Sequence, residues 1–336
     1  MEELLIIFRA LADPTRLRIM LLLLEMELAV GELATLLGQS QPRISRHIRI
    51  LDEAGLAERH KEGSWVFLRP GAGRDVETLA RLLRAEKMAS DEQTLADRAR
   101  LVAVRQARAE QAERYFASHA ESWDAIRSMH VAEPEVEAAM RRVLEDRPLG
   151  QMLDVGTGTG RMIELFGPAA DTVTAVDKSP EMLRLARSKL LGDDLQKASR
   201  RALANKTRLK LDDFNALTLD NASFDSVILH QVLHYAQNPE RVIPEIARVI
   251  RPGGLMLIVD FAQHDHEELR SEHAHARLGF SDENIARWFN DAQVKLDHVE
   301  TLEGGALTVK LWLGAKMEAS VKSATVTPIS SLKRAV

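Results

Sequence analysis

Leu153-Asp154-Val155-Gly156-Thr157-Gly158-Thr159-Gly160 is the stretch on which the fold turns. Residues 152–155 predict a strand, and a helical pattern opens beyond Gly160. Glycines at 156, 158 and 160 let the chain turn tightly and bring backbone amides against a ligand. Further strands are expected at 173–176, 209–211, 226–229 and 255–259, with helical patterns in most of the gaps. That alternation predicts an α/β fold, a doubly wound Rossmann-like parallel sheet with helices on both faces. Residues 294–301 and 307–313 flank Gly304-Gly305 and read as an antiparallel hairpin on the sheet edge.

Asp177 ends the second strand, 177 − 156 = 21 residues beyond the first glycine, where a carboxylate can accept ribose hydroxyls. A dinucleotide or S-adenosylmethionine (SAM) would suit such a rim, and three details favour SAM. The glycines are spaced Gly-x-Gly-x-Gly rather than Gly-x-Gly-x-x-Gly. Asp154 at the strand end would repel a pyrophosphate and attract the ammonium of methionine. Asp213-Phe214 follows the third strand, where the acid can accept from the adenine amino group and the ring can cover the base. With Phe224-Asp225 and Arg248-Val249-Ile250-Arg251-Pro252-Gly253-Gly254, the region from about 115 to 315 resembles class I SAM-dependent methyltransferases of the small-molecule type. The resemblance implies that Asp154, Gly156, Gly158 and Gly160 hold the methionine end and that Asp177, with Lys178 beside it, holds the ribose. It further implies Asp213 and Phe214 at the adenine and His230 in the pocket wall, with SAM or S-adenosylhomocysteine (SAH) as the bound molecule. It says little about a methyl acceptor.

The N-terminal seventy residues read differently, as short helices followed by a hairpin. Asp13-Pro14 caps a helix, Gly31 and Gly38 punctuate a second, and Ser40-Gln41-Pro42 opens a third running to Ala54-Gly55. On that third helix Ile44, Ile48 and Leu51 share an inward face. Arg43, Ser45, Arg46 and Arg49 point away, with Ser40 and Gln41 at the start and no acid between Gln41 and Leu51. Three guanidinium groups and polar donors on one face suit phosphates or guanine edges in a major groove. The hairpin carries Arg59, His60 and Lys61, placed to lie over the DNA backbone or minor groove as a wing. Phe8-Arg9-Ala10-Leu11-Ala12-Asp13-Pro14-Thr15-Arg16-Leu17-Arg18-Ile19, Glu32-Leu33-Ala34, Gln41-Pro42-Arg43-Ile44-Ser45-Arg46-His47 and Glu53-Ala54-Gly55-Leu56 resemble the ArsR family of winged helix-turn-helix regulators. The resemblance implies a homodimer on an inverted-repeat operator in double-stranded DNA, usually a repressor released by its effector. Leu28-Ala29-Val30-Gly31 stands where arsenic-sensing members carry cysteines, and no histidine lies between Lys61 and Ser118, so the family's usual metal sites are not expected.

Length and composition agree with two cores: 336 residues, 45% hydrophobic and 28% charged. Lys+Arg 45 against Asp+Glu 50 gives −5, which excludes a broadly cationic coat but permits a local basic face. Cysteine is absent, so disulfides, thiolate metal sites and arsenite methylation by the usual thiolate route are excluded. The opening Met1-Glu2-Glu3 has no basic n-region, and the apolar run at 19–24 is too short for a membrane span, so a cytoplasmic chain without a membrane partner is expected. The expected organisation is a DNA-binding unit over 1–73, a helical linker and dimer seam over 74–119, a SAM-binding unit over 120–316 and a disordered tail over 317–336. Within the linker a break is expected near Ser90-Asp91. Leu79, Leu82 and Leu83, with the N-terminal Leu4 to Phe8, supply apolar surface for a seam. Tyr115-Phe116 and Trp123 either close over SAM or pack the helix onto the sheet. His264, His266, His273 and His275 fall within twelve residues. They read as lining an acceptor cavity or capping an interface rather than binding metal. Two functions stand open: a repressor whose second domain senses SAM or SAH, with methyl-cycle genes as sensible targets, and a working methyltransferase with an autoregulatory DNA-binding unit. No catalytic residue is assigned, and His230, His234 and Tyr235 are the nearby groups able to deprotonate an acceptor.

Overall fold

The computed structural model describes residues 2–62, 65–71, 74–85, 92–123, 133–191, 198–303 and 306–318. The N-terminal unit comprises α1 (Glu2–Leu11), α2 (Pro14–Leu23), β1 (Leu28–Ala29), α3 (Val30–Leu37), α4 (Gln41–Glu53), β2 (Ala57–Glu62) and β3 (Trp65–Pro70). Asp13 caps α2, its carboxylate accepting the Arg16 N–H at 3.1 Å, and Pro14 occupies the first turn, where no donor is needed. Gly38 ends α3 in the left-handed region (φ 63°), which turns the chain into α4. Ile44, Ile48 and Leu51 of α4 are buried with Ile19, Met20, Leu33 and Leu68, each aliphatic side chain contributing about 1.5–3 kcal/mol by burial. The three strands form a sheet in the order β1-β3-β2, a winged helix-turn-helix.

Two helices follow, α5 (Arg74–Ala85) and α6 (Glu92–His119). The expected break near Ser90-Asp91 lies outside the described residues. Leu83 and Leu101 enter the N-terminal core, whereas Leu82, Leu95 and Val102 stay exposed. Arg18 on α2 grips Asp97 on α6 through two hydrogen bonds of 2.6 and 2.8 Å, fixing the long helix to the DNA-binding unit.

Beyond α7 (Glu133–Leu144) the strands are β4 (Gln151–Val155), β5 (Thr172–Asp177), β6 (Thr207–Leu211), β7 (Phe224–His230), β8 (Ile250–Phe261), β9 (Val294–Leu302) and β10 (Val309–Lys316). They form one seven-stranded sheet in the order β6-β5-β4-β7-β8-β10-β9. Strands β6 through β8 are parallel, and β10 and β9 close the edge antiparallel. Strand order reverses between β4 and β7, which opens a crevice at their C-terminal ends, the usual ligand position of such sheets. Both faces are covered. Met152 and Ile228 face one core, and Leu153, Val155 and Leu229 the other. The covering helices are α8 (Arg161–Phe166), α9 (Pro180–Leu191), α10 (Ala198–Lys206), α11 (Pro239–Val249), α12 (Glu268–Glu272) and α13 (Asp282–Asp291). The expected disordered tail lies outside the described residues, apart from its first two positions.

Candidate functional site

The crevice holds a cavity of about 570 Å³, within the range of about 300–1,000 Å³ common for small-molecule sites. Gly156 and Gly158 line it at the end of β4, and both adopt positive φ (68° and 53°). Gly156 admits no side chain, since a Cβ there would fall 2.0 Å from Val232 Cγ2. Asp177, at the end of β5, ties the loop down: its Oδ2 accepts the Gly158 N–H and its Oδ1 the Ser179 N–H, each at 2.8 Å. Burial raises the Asp177 carboxyl above its ordinary range, while the amides of Ser179, Gly158 and Lys178 pull it back.

Of the expected cofactor-binding set, Gly156, Gly158, Asp177, Lys178, Phe214 and His230 line the cavity. Asp154, Gly160 and Asp213 do not. Asp154 is buried within β4 at 1% exposure, and Gly160 (φ 89°) caps α8. The Asp213 carboxylate turns away to Lys178 at 3.6 Å and accepts from the Asn215 amides, so Phe214 and Asn215 form the wall there. Residues not anticipated also border the cavity, among them Thr157, Arg161, Asn215 and Gln237. Arg161 is held in place by both oxygens of Glu137, at 2.6 and 2.8 Å.

The other wall is aromatic. Phe116 from α6, Trp123 just beyond it and Tyr235 from the turn after β7 all border the cavity. Phe116 meets Trp123 and Tyr235 edge to face, with centroids 5.3 and 4.8 Å apart. Phe116 and Trp123 are therefore cavity wall rather than a core stripe. Tyr115 turns aside and hydrogen-bonds His273 Nδ1 at 2.7 Å, its hydroxyl pushed up to about 12 by burial. Burial, with Tyr115 and Asp260 nearby, also raises the Tyr235 phenol well above its ordinary value, so it is neutral near pH 7 and a poor base. His234 stands behind the wall. It is bonded to buried Asp260 at 2.7 Å and stacked on His275 with centroids 4.1 Å apart. Among the described residues no group of three or more His, Asp or Glu is arranged to hold a metal ion.

At the opposite end, Ser40, Gln41, Arg43, Ser45, Arg46 and Arg49 are all exposed along one side of α4, and Lys61 is exposed on β2. His47 turns toward Asp13 at 3.6 Å, and burial lowers its imidazole against that pull. Arg59 differs from expectation: it is paired with Asp52 of α4 at 3.1 Å, bracing the wing against the helix.

The two ends touch. Arg277, buried among the residues after α12, donates to Glu27 Oε2 at 2.5 Å and to the Gln237 carbonyl at 2.6 Å. Arg270 and Arg277 both lie over the Phe67 ring of β3, at 5.2 and 5.4 Å from its centroid. Arg241 donates to the Leu24 carbonyl at 3.1 Å. The histidine-rich segment therefore caps the interface between the units. Sequence reading had no signal for the Glu27–Arg277 pair, which joins positions 250 residues apart.

Fold and site together define a winged helix-turn-helix joined to a Rossmann-like sheet of the methyltransferase type. Residues 13–59 match the family model for bacterial regulatory proteins of the arsR family, and residues 153–258 match that for a methyltransferase domain. The chain thus joins an N-terminal region of the arsR-family type to a methyltransferase-type domain. Over 64 residues, 19% of this chain, it is 55% identical to an arsenical resistance operon repressor of Escherichia coli (strain K12). Over 147 residues, 44% of this chain, it is 33% identical to a phosphatidylethanolamine N-methyltransferase of Cereibacter sphaeroides. The chain spans 55% and 66% of the lengths of these relatives, respectively. A structure of the Haloferax volcanii Trm112 methyltransferase activator with a putative methyltransferase shares the fold at TM-score 0.50 and 20% identity, covering 62% of this chain and 98% of that one. No helix among the described residues is long and apolar enough to cross a membrane.

Proposed function

We propose that this chain is a homodimeric transcriptional repressor whose methyltransferase domain binds SAM or SAH as an effector, with genes of the methyl cycle as targets. The carrying observation is the buried junction in which Arg277 bonds both Gln237, in the cavity wall, and Glu27, in the DNA-binding unit. An enzyme with a merely tethered regulator has no need of a charged pair buried between cavity and wing. The cavity chemistry supports an adenosyl ligand: glycines at its floor that leave room for close approach, Asp177 beside them for hydroxyls, and Phe214 with Asn215 for a base. Aromatic faces of Phe116, Trp123 and Tyr235 suit a sulfonium cation. The arginine face of α4 and the stretch shared with a repressor support DNA binding.

A working methyltransferase is the second reading. His230, buried in the cavity wall, favours it as a proton acceptor, since Tyr235 is neutral and His234 is engaged by Asp260 outside the cavity. Methyl transfer depends mainly on positioning, so a single base would suffice. Titration calorimetry with SAM and with SAH tests the ligand assignment on the full chain. Asp177→Ala is expected to weaken binding by at least about tenfold, one lost hydrogen-bonding carboxylate amounting to roughly 1.5–3 kcal/mol. Unchanged affinity in that variant would remove Asp177 from the site.

A further inference from the structure

The contacts around Arg277 do more than join two domains. Its side chain is 5% exposed in the Glu27 pair, against 8% for Glu27. Its backbone N–H donates to the His234 carbonyl at 2.9 Å, as does that of Ala276 at 3.0 Å. Arg277 is therefore held by main chain and side chain to the turn at 234–237 that supplies Tyr235 and Gln237 to the cavity. On the other side it makes two contacts with the DNA-binding unit, one of them in the wing. Glu27 immediately precedes β1, and Phe67 lies on β3, paired with Ala29 of β1 and with His60 of β2. Lys61, the exposed basic residue of the wing, is the next residue along β2.

This cluster is poorly suited to gradual loosening. Glu240 of α11 carries a second carboxyl beside the pair, raised by burial and countered by Arg277. Withdrawing the guanidinium would take from Glu27 its buried partner and leave Arg241 to counter Glu240, which is costlier than breaking an exposed ion pair. The junction is therefore either seated or released, the property a switch needs.

We propose that Arg277 is the coupling residue: a ligand that repositions the 234–237 turn seats or unseats Arg277 on Glu27 and Phe67, and so sets the angle of the wing on DNA. The proposal rests on the sensor reading above and adds the route. Linkage makes it reciprocal, so DNA changes ligand affinity by the same factor.

The test uses the full chain and an operator selected by it from random-sequence DNA. DNA affinity is measured by fluorescence anisotropy without ligand, with SAM and with SAH, and ligand affinity by calorimetry. The wild type is expected to show a coupling factor within the usual span of about 5–150. In Arg277→Met, and in Phe67→Leu, which keeps an apolar filler, both ligand and DNA still bind but the factor falls to about 1, the value for uncoupled sites. Retention of the wild-type factor in both variants overturns the route and leaves the sensor reading standing. A wild type that binds ligand without any change in DNA affinity overturns the sensor reading and the route with it.

Discussion

At the scale of single residues, the two ends of the molecule use charge in opposite ways. On α4 the guanidinium groups of Arg43, Arg46 and Arg49 stay in water, where a phosphate or a base edge can reach them. Arg46→Ala is expected to weaken operator binding by about 1–3 kcal/mol and to relax discrimination at one base pair if it reads a guanine edge. A uniform loss across sequences with a smaller salt dependence would make it a phosphate contact instead. At the cavity, charge is enclosed and locally satisfied. Asp177 is committed to two backbone amides before any ligand arrives. The glycines and Asp177 were legible in the sequence because a sharp turn after a strand requires them. Asp213 is harder to read, because two adjacent acids look alike in sequence. The structure buries Asp212 against Thr218 and Lys210 and sends Asp213 to Lys178 and Asn215.

At the scale of elements, the parallel sheet was legible because strands covered on both faces are largely apolar, as 152–155 and 226–229 are apart from Asp154 and Ser226. The helix carrying Phe116 could not be assigned from periodicity, since a stripe facing a cavity and a stripe facing a core have the same spacing. In the segment from His264 to Arg277 the histidines suit the lining of an acceptor cavity or the cap of an interface, spacing alone does not separate the two, and the segment packs as a hub at the interface. His273 meets Tyr115, His275 stacks on His234, and Arg270 and Arg277 reach the wing. This hub carries a pH dependence. Burial, with His266 and His234 close by, pushes the His264 imidazole down to about 4 from its ordinary 6.5. Between those values the unfolded chain binds more protons than the folded one, so stability is full above about pH 6.5 and falls as pH drops toward about 4. His264 is partly exposed, so screening limits the loss between pH 7 and pH 5 to roughly 1 kcal/mol. Urea unfolding at both pH values is expected to show a smaller loss in His264→Asn than in the wild type. An identical loss in the two would assign the effect elsewhere.

At the scale of the whole molecule, the described surface carries apolar side chains that one copy leaves uncovered. Leu4, Leu5, Ile6 and Phe8 on α1 are 46–61% exposed, and Leu82, Leu95 and Val102 on α5 and α6 are 52–57% exposed. A second copy covering them would make the proposed homodimer, the symmetry that suits an inverted repeat. The sequence made the apolar stripe legible but not the junction, whose two sides lie in separate domains with no local pattern linking them. The central claim is that occupancy of the cavity governs occupancy of DNA. It is tested most directly by a mobility shift of the full chain on its selected operator, titrated separately with SAM and with SAH. One of the two is expected to shift the midpoint of DNA binding by at least about fivefold, the lower end of usual allosteric coupling. An unmoved midpoint at concentrations of both ligands that calorimetry shows to be saturating would contradict it.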